Sequence, residues 1–145
     1  MRKVPTHYDA IILGAGGAGL MCAAVAGQRG RNVLLIDHAD EPGKKILISG
    51  GGRCNFTNSG TVADRYISQN RHFAKSALSR YSAADFIALV DRYGIDWHEK
   101  TLGQLFCDGS ARQIVEMLMT ECPDQMVNLS LGKAITDVSH SDGRY

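Results

Sequence analysis

Gly14-Ala15-Gly16-Gly17-Ala18-Gly19 decides how this chain begins. It follows the apolar run Tyr8-Asp9-Ala10-Ile11-Ile12-Leu13 and opens a stretch of small residues. Further on, Asn32-Val33-Leu34-Leu35-Ile36 reads as a second buried strand that delivers Asp37, with seventeen residues between Gly19 and that acid. A bare G-x-G-x-x-G says little, because glycine-rich turns occur in unrelated α/β proteins. Strand, glycine turn, helix, strand and acid in that order form the context of a dinucleotide site. The chain is expected to open with a site for the adenosine diphosphate half of a dinucleotide.

Each part has its chemical reason. Gly14 lets the backbone turn sharply out of the first strand. Gly16 lets the chain approach a pyrophosphate, and the amides of Gly17, Ala18 and Gly19 lie at a helix start, where anions are favoured. Gly19, Ala23, Ala26 and Gly30 recur three or four residues apart, as a small face packed close to a sheet would require. Asp37 would accept hydrogen bonds from ribose hydroxyls and repel a 2′-phosphate. On these residues alone, NAD and FAD fit equally well.

Composition narrows the class. The chain has 145 residues, 44% hydrophobic and 21% charged, with sixteen basic and fifteen acidic residues for a net charge of +1. That balance gives no global field for nucleic acid, so none is expected as a partner, and Arg2-Lys3, Lys44-Lys45 and Arg71–Arg80 read as solvated surface. Met1-Arg2-Lys3 before an apolar stretch resembles an export signal, but Asp9 and the four glycines between Leu13 and Leu20 break its core. No run approaches the roughly 18–20 apolar residues that span a bilayer. A cytoplasmic protein without a membrane segment is expected. Cys22, Cys54, Cys107 and Cys122 show neither C-x-x-C nor zinc-like spacing, so free thiols and no metal site are expected. Cys22, inside the first helix, reads as packing.

The later chain holds further elements. Arg65–Tyr81 carries mixed, mostly helical signals. Ser82 with Asp85 reads as an acidic capping box, followed by Phe86, Leu89, Val90 and Tyr93 on one helical face and Gly94 as the stop. Gly109-Ser110 starts another helix with Ile114, Val115, Leu118 and Met119 as its buried stripe, ended by Pro123. Val127–Leu131 alternates as a strand. Ala134–Val138, a Ser141-Asp142-Gly143 turn and Arg144-Tyr145 read as a hairpin whose return strand is missing. The expected fold class is α/β, a Rossmann-like FAD/NAD(P)-binding domain. Residues 1–145 would be the N-terminal part of a larger two- or three-domain flavoprotein.

A second constellation runs from Gly43-Lys44-Lys45 through Ser49-Gly50-Gly51-Gly52-Arg53-Cys54-Asn55-Phe56-Thr57-Asn58. Consecutive glycines let amides converge on an anion, and Arg53 can pair a phosphate bidentately. Asn55 and Asn58 offer donors and acceptors to a polar ring edge. A plain glycine-punctuated surface loop is the competing reading. Taken with Gly14–Gly19 and Asp37, this string resembles the BaiN/YhiN-type family of bacterial flavoproteins, NAD(P)/FAD-dependent oxidoreductases of the glutathione-reductase-like FAD superfamily. The likeness is densest over residues 8–58.

The resemblance implies FAD as the held cofactor, with NAD(P)H as a possible transient electron donor. It implies that Gly14, Gly16, Gly17, Ala18 and Gly19 hold the pyrophosphate and Asp37 the adenosine ribose. Lys44, Lys45, Gly51, Gly52, Arg53 and Asn55 would approach the pyrophosphate or the flavin. Ile135 would set its backbone against the adenine edge from a strand of the Val127–Val138 type. Many relatives would carry proline after the phenylalanine where this chain has Phe106-Cys107. The expected activity is flavin-mediated redox of a small molecule. The alternatives are an NAD-dependent dehydrogenase without flavin and an FAD-dependent RNA-modifying enzyme. No residue qualifies as a general acid or base.

Overall fold

The computed structural model describes residues 7–145, so the reading of Met1-Arg2-Lys3 lies outside the described residues. In chain order the strands are β1 (Ala10–Leu13), β2 (Val33–Ile36), β3 (Asn55–Asn58), β4 (Trp97–Glu99), β5 (Gln104–Cys107) and β6 (Val127–Ser130). The helices are α1 (Gly17–Gln28), α2 (Lys44–Ile48), α3 (Lys75–Arg80), α4 (Ala83–Arg92) and α5 (Ala111–Glu121). The described residues divide into two compact units, one of residues up to 44 together with 118–145, and one of residues 45–117.

The first unit carries a parallel sheet in the order β1-β2-β6, with Ala10 opposite Val33 and Val33 opposite Val127. Val33 and Leu35 are buried, as a β-branched and aliphatic central strand of a parallel sheet should be. Helix α1 connects β1 to β2 and buries Leu20, Ala23, Ala24 and Gly27. A Cβ on Gly27 would come 2.8 Å from Val127 Cγ2 and 2.9 Å from Pro123 Cδ. The close face is therefore built around Gly19, Ala23 and Gly27.

Gly30 does not belong to that face. It sits at φ +75° just past the helix. Its N–H donates to Gly27 O (2.9 Å), while Arg31 N–H donates to Ala26 O (3.1 Å). This is a Schellman stop, which asks for a residue without Cβ strain. Cys22 is exposed, not packed.

The second unit carries an antiparallel sheet in the order β3-β5-β4. Leu105, Phe106 and Cys107 of β5 are buried at its centre. Phe56 meets Phe86 and Trp97 at ring-centroid distances of 6.1 and 6.2 Å. Helix α4 begins as expected: Asp85 N–H donates to Ser82 Oγ (3.2 Å), and Ser82 N–H donates back to Asp85 Oδ2 (2.7 Å). Gly94, at φ +63°, ends it. Helix α5 buries Ile114, Val115, Met117 and Leu118, so Met117 takes the place expected of Met119.

Two further expectations are corrected. Over Arg65–Tyr81, regular structure is confined to a short 3-10 turn at Ala63–Arg65 and the six residues of α3. Ala134–Val138 is not a strand: β6 ends at Ser130, and the only pairing beyond it among the described residues is an isolated bridge between Ser141 and Arg144. Past β6, Gly132, at φ +65°, still donates its N–H to Ala39 O (2.8 Å) and Lys133 N–H to Asp37 O (2.9 Å), before the regular pairing ends.

Candidate functional site

The glycine loop occupies the first unit. Gly14 stands at φ +103°, a conformation that L side chains rarely adopt. Its N–H donates to Ile36 O (2.7 Å), which fixes the exit of β1 against the end of β2. Gly19 is required for packing: a Cβ there would lie 1.8 Å from Gly14 O. Gly16 differs from both. Its backbone is ordinary, at φ −82° and ψ −173°, and a Cβ would meet no atom within 4 Å. No side chain caps α1 at Gly16. The first helical bond is Leu20 N–H to Gly16 O (2.9 Å), so the amides of Gly17, Ala18 and Gly19 precede it. Gly16 thus keeps open the space into which those amides and the positive end of the helix face. A pyrophosphate fits such a cradle.

Asp37, at the end of β2, has a double task. Its Oδ2 accepts the N–H of Ala15 (2.6 Å), and its Oδ1 accepts the N–H of Ala39 (2.8 Å). His38 Nδ1 lies 3.3 Å from the same Oδ1. The Ala39 and Ala15 amides hold the carboxyl below the usual carboxylate range, against a smaller opposing effect of burial. Gly43 N–H in turn donates to Ala15 O (2.8 Å). Ala15, wholly buried, is held from both sides. Each carboxylate oxygen retains a lone pair for a ribose hydroxyl.

Lys44 is exposed and paired with Asp40 at 2.7 Å, an interaction that raises the ammonium pKa. Its charge is already partly spent. Ile135 belongs to no strand, so the ladder its assignment rested on is absent there. It lines a cavity of about 1000 Å³ with Tyr8, Ile11, Leu13, Ile36 and Val138.

In the second unit, Gly50, Gly51 and Gly52 have φ of +57°, +67° and +84°. This is a run of left-handed backbone that only glycine adopts cheaply. A Cβ on Gly50 would sit 2.7 Å from Phe106 Cε1, so the turn packs directly on that ring. Lys45, Gly51, Arg53 and Asn55 are exposed and Gly52 is half-buried. With its amide nitrogen turned toward carbonyls, Asn55 donates to Leu105 O (3.2 Å) and Thr57 O (3.0 Å), which leaves its oxygen for a ligand.

The Phe106-Cys107 departure has a structural consequence. Cys107 N–H donates to Arg53 O (3.0 Å), a bond proline could not make. It ties the arginine of the glycine string to β5. Cys54, at φ +52°, and Cys107 are both buried, and the residues next to them, Asn55 and Phe106, pair between β3 and β5. Burial pushes the Cys54 thiol up, and burial followed by the neighbouring Cys54 pushes Cys107 to about 11. Both are neutral thiols, poorly suited to nucleophilic chemistry.

Sequence reasoning missed one polar pair. His98 Nδ1 and Asp108 Oδ1 are 2.5 Å apart, and the imidazole stacks on Phe106 at 6.2 Å and 19°. A carboxylate only accepts, so Nδ1 carries the proton and Nε2 remains to take or give another. Reading 97–107 as a β-hairpin would have revealed it, because Trp97 pairs with Cys107 and places both residues at one end of the ladder.

Residues 8–145 match the model of the HI0933-like protein Rossmann domain. The chain is 58% identical over 136 residues to the ribosomal RNA dihydrouridine synthase of Escherichia coli K12, covering 94% of this chain and 34% of that protein. It is 52% identical over 132 residues to the protein of the same description from Haemophilus influenzae, covering 91% and 33%. The chain therefore spans about a third of the length of these curated relatives. Among solved structures it resembles the open conformation of a flavocytochrome c3 fumarate reductase, with a TM-score of 0.61 and 20% identity over 95% of this chain and 29% of that one. The fold is a Rossmann-like α/β domain, as the sequence implied.

These relatives correct one expectation outright. Both are named for acting on ribosomal RNA, so the reading that no nucleic acid is involved does not stand. The net charge of +1 misled because it is an average, whereas fields at a protein surface are screened within about 8–10 Å and act locally. Among the described residues no helix is long and apolar enough to cross a membrane.

Proposed function

The chain belongs to the HI0933-like Rossmann-domain family, and from that membership we propose that residues 1–145 are the N-terminal, FAD-holding part of an enzyme that reduces uridine in ribosomal RNA to dihydrouridine. The observation that carries this reading is the 58% identity across 94% of the chain to a relative of that description. The same observation favours RNA over a small molecule as substrate, while the flavin, in preference to a flavin-free NAD dehydrogenase, rests on the resemblance carried by Gly14–Gly19 and Ser49–Asn58.

When bound, the flavin supplies the hydride for saturating the uracil ring, with NAD(P)H as the proposed source of electrons. The chain's own residues bind and orient. In this reading the amides of Gly17, Ala18 and Gly19 hold the pyrophosphate over the space that Gly16 leaves open. Asp37 holds the ribose with its remaining lone pairs while it fixes Ala15. Lys44 and Lys45 add positive charge. Gly51, Gly52, Arg53 and Asn55 form a second set of contacts to the cofactor, with Arg53 positioned through its bond to Cys107. Ile135 retains only its place in the cavity beside Ile36.

The experiment uses the protein at the full length of its relatives. Ribosomal RNA from cells with and without the protein is digested to nucleosides and analysed by mass spectrometry, and the purified protein is examined for flavin bands and FAD released on denaturation. The reading expects dihydrouridine only where the protein is present, and FAD in the purified sample. Unchanged dihydrouridine, or a colourless protein that takes up NAD and not FAD, contradicts it.

A further inference from the structure

The segment Arg65-Tyr66-Ile67-Ser68-Gln69-Asn70-Arg71-His72-Phe73-Ala74-Lys75-Ser76-Ala77-Leu78-Ser79-Arg80-Tyr81 has no part in the proposed cofactor site. It contains four Lys and Arg and no Asp or Glu. The unit around it, residues 45–117, holds nine Lys and Arg against seven Asp and Glu; without the segment the count is five against seven. These four cations alone turn the unit from acidic to basic. None of Arg65, Arg71, Lys75 and Arg80 is ion-paired among the described residues.

The exposure of its apolar groups is the second observation. In the segment only Ala74 is buried and Leu78 half-buried. Ile67 is fully exposed, Phe73 is 73% exposed, Tyr66 49% and Tyr81 38%. Leaving large apolar side chains in water forgoes the stabilisation that burying them would give. The segment nevertheless has local order: Asn70 Oδ1 accepts His72 N–H (3.0 Å), and Asn70 O accepts Phe73 N–H (2.9 Å). Cations and exposed rings are thus interleaved on an ordered turn.

We infer that residues 65–81 are an RNA-contact surface, in which Arg65, Arg71, Lys75 and Arg80 neutralise phosphates and Phe73, with Tyr66 and Tyr81, stacks on unpaired bases. Basic charge alone would suit any polyanion, but interleaved flat rings match single-stranded nucleic acid, whose bases offer faces for stacking. A membrane-surface element would need a longer continuous apolar helical face than the six residues of α3 provide. The inference rests on the RNA-directed reading above and adds to it where the RNA is held.

The test uses the full-length, FAD-loaded protein and a fluorescein-labelled single-stranded oligouridine of about 12 nucleotides, a length suited to single-strand sites. Anisotropy titrations run from about 50 to 200 mM salt. Combined Arg71→Glu, Lys75→Glu and Arg80→Glu should weaken binding at least about tenfold and reduce the salt slope by about two, at ~0.7 for each phosphate no longer neutralised. Phe73→Ala should weaken binding about fivefold or more with the slope unchanged, since stacking releases no counterions. If the triple variant sheds its FAD, Arg71→Gln with Lys75→Gln takes its place, read in the same way.

Variants that retain FAD and bind with wild-type affinity and slope overturn the inference. If the wild type still forms dihydrouridine in that case, the functional reading stands while this surface falls. A wild type that binds no RNA, or binds phosphatidylserine vesicles through these residues instead, overturns it too.

Discussion

Asp37 Oδ2 accepts the backbone N–H of Ala15 at 2.6 Å, so the acid that closes β2 grips the middle of the glycine loop that follows β1. The carboxylate is therefore a structural member of the loop before any ligand arrives. Its side chain is only 14% exposed, which limits competition from water. Hydrogen bonds to a charged group contribute about 1.5–3 kcal/mol each.

Asp37→Ala should loosen both the loop and the ribose contact. The expected outcome is FAD affinity lowered by about ten- to a hundredfold, the equivalent of one or two such bonds. Fluorescence of FAD released on serial dilution measures it. Unchanged retention would mean that Asp37 neither shapes the site nor touches the cofactor.

The same carboxylate sets a pH dependence. Its folded-state pKa lies below the unfolded value, so its stabilisation is complete above the ordinary carboxylate range near pH 4. It is lost as pH falls through the depressed value. Urea midpoints followed from about pH 7 to pH 2 should drop more steeply in the wild type than in Asp37→Asn over the acid end of that window.

Gly16 and Gly19, members of the same motif, should fail in different ways. Gly19→Ala places a Cβ 1.8 Å from Gly14 O and should destabilise the fold by several kcal/mol, read as a lower Tm. Gly16→Ala meets no protein atom within 4 Å and should leave Tm nearly unchanged while sharply reducing FAD binding. A Gly16→Ala variant with full FAD affinity would remove the pyrophosphate from this loop.

Thiol reactivity separates exposed from buried cysteines. Cys22 is exposed, while Cys54, Cys107 and Cys122 are buried, the last two with thiols pushed to about 11. A thiol-specific reagent near neutral pH should modify Cys22 quickly and the other three only on unfolding. Fast labelling of Cys54 in the native protein would contradict its placement.

What can be read from the sequence is local. The capping box of Ser82 and Asp85, the stop at Gly94 and the strand–glycine–helix–strand order each depend on neighbours along the chain, and the structure contains them. Gly30 fits a packing face by spacing, because helical periodicity alone cannot tell a buried glycine from one that ends the helix. The grip of Asp37 on Ala15, the Cys107 bond to Arg53 and the pairing of His98 with Asp108 all join separate segments, so no local pattern announces them. The strand expected over Ala134–Val138 is absent for a related reason: no partner strand lies beside it among the described residues. Net charge fails most clearly: the Arg71–Arg80 cations are visible in the sequence, but the chain-wide balance makes them read as solvated surface.

The most direct measurement of the central claim is a single-turnover reaction of the full-length, FAD-loaded protein. The flavin is reduced anaerobically and mixed with ribosomal RNA from cells lacking the protein, and flavin reoxidation and dihydrouridine are followed together. The account predicts reoxidation that depends on the RNA and one dihydrouridine formed per flavin reoxidised. Flavin that stays reduced in the presence of that RNA, or is reoxidised without dihydrouridine appearing, would contradict it.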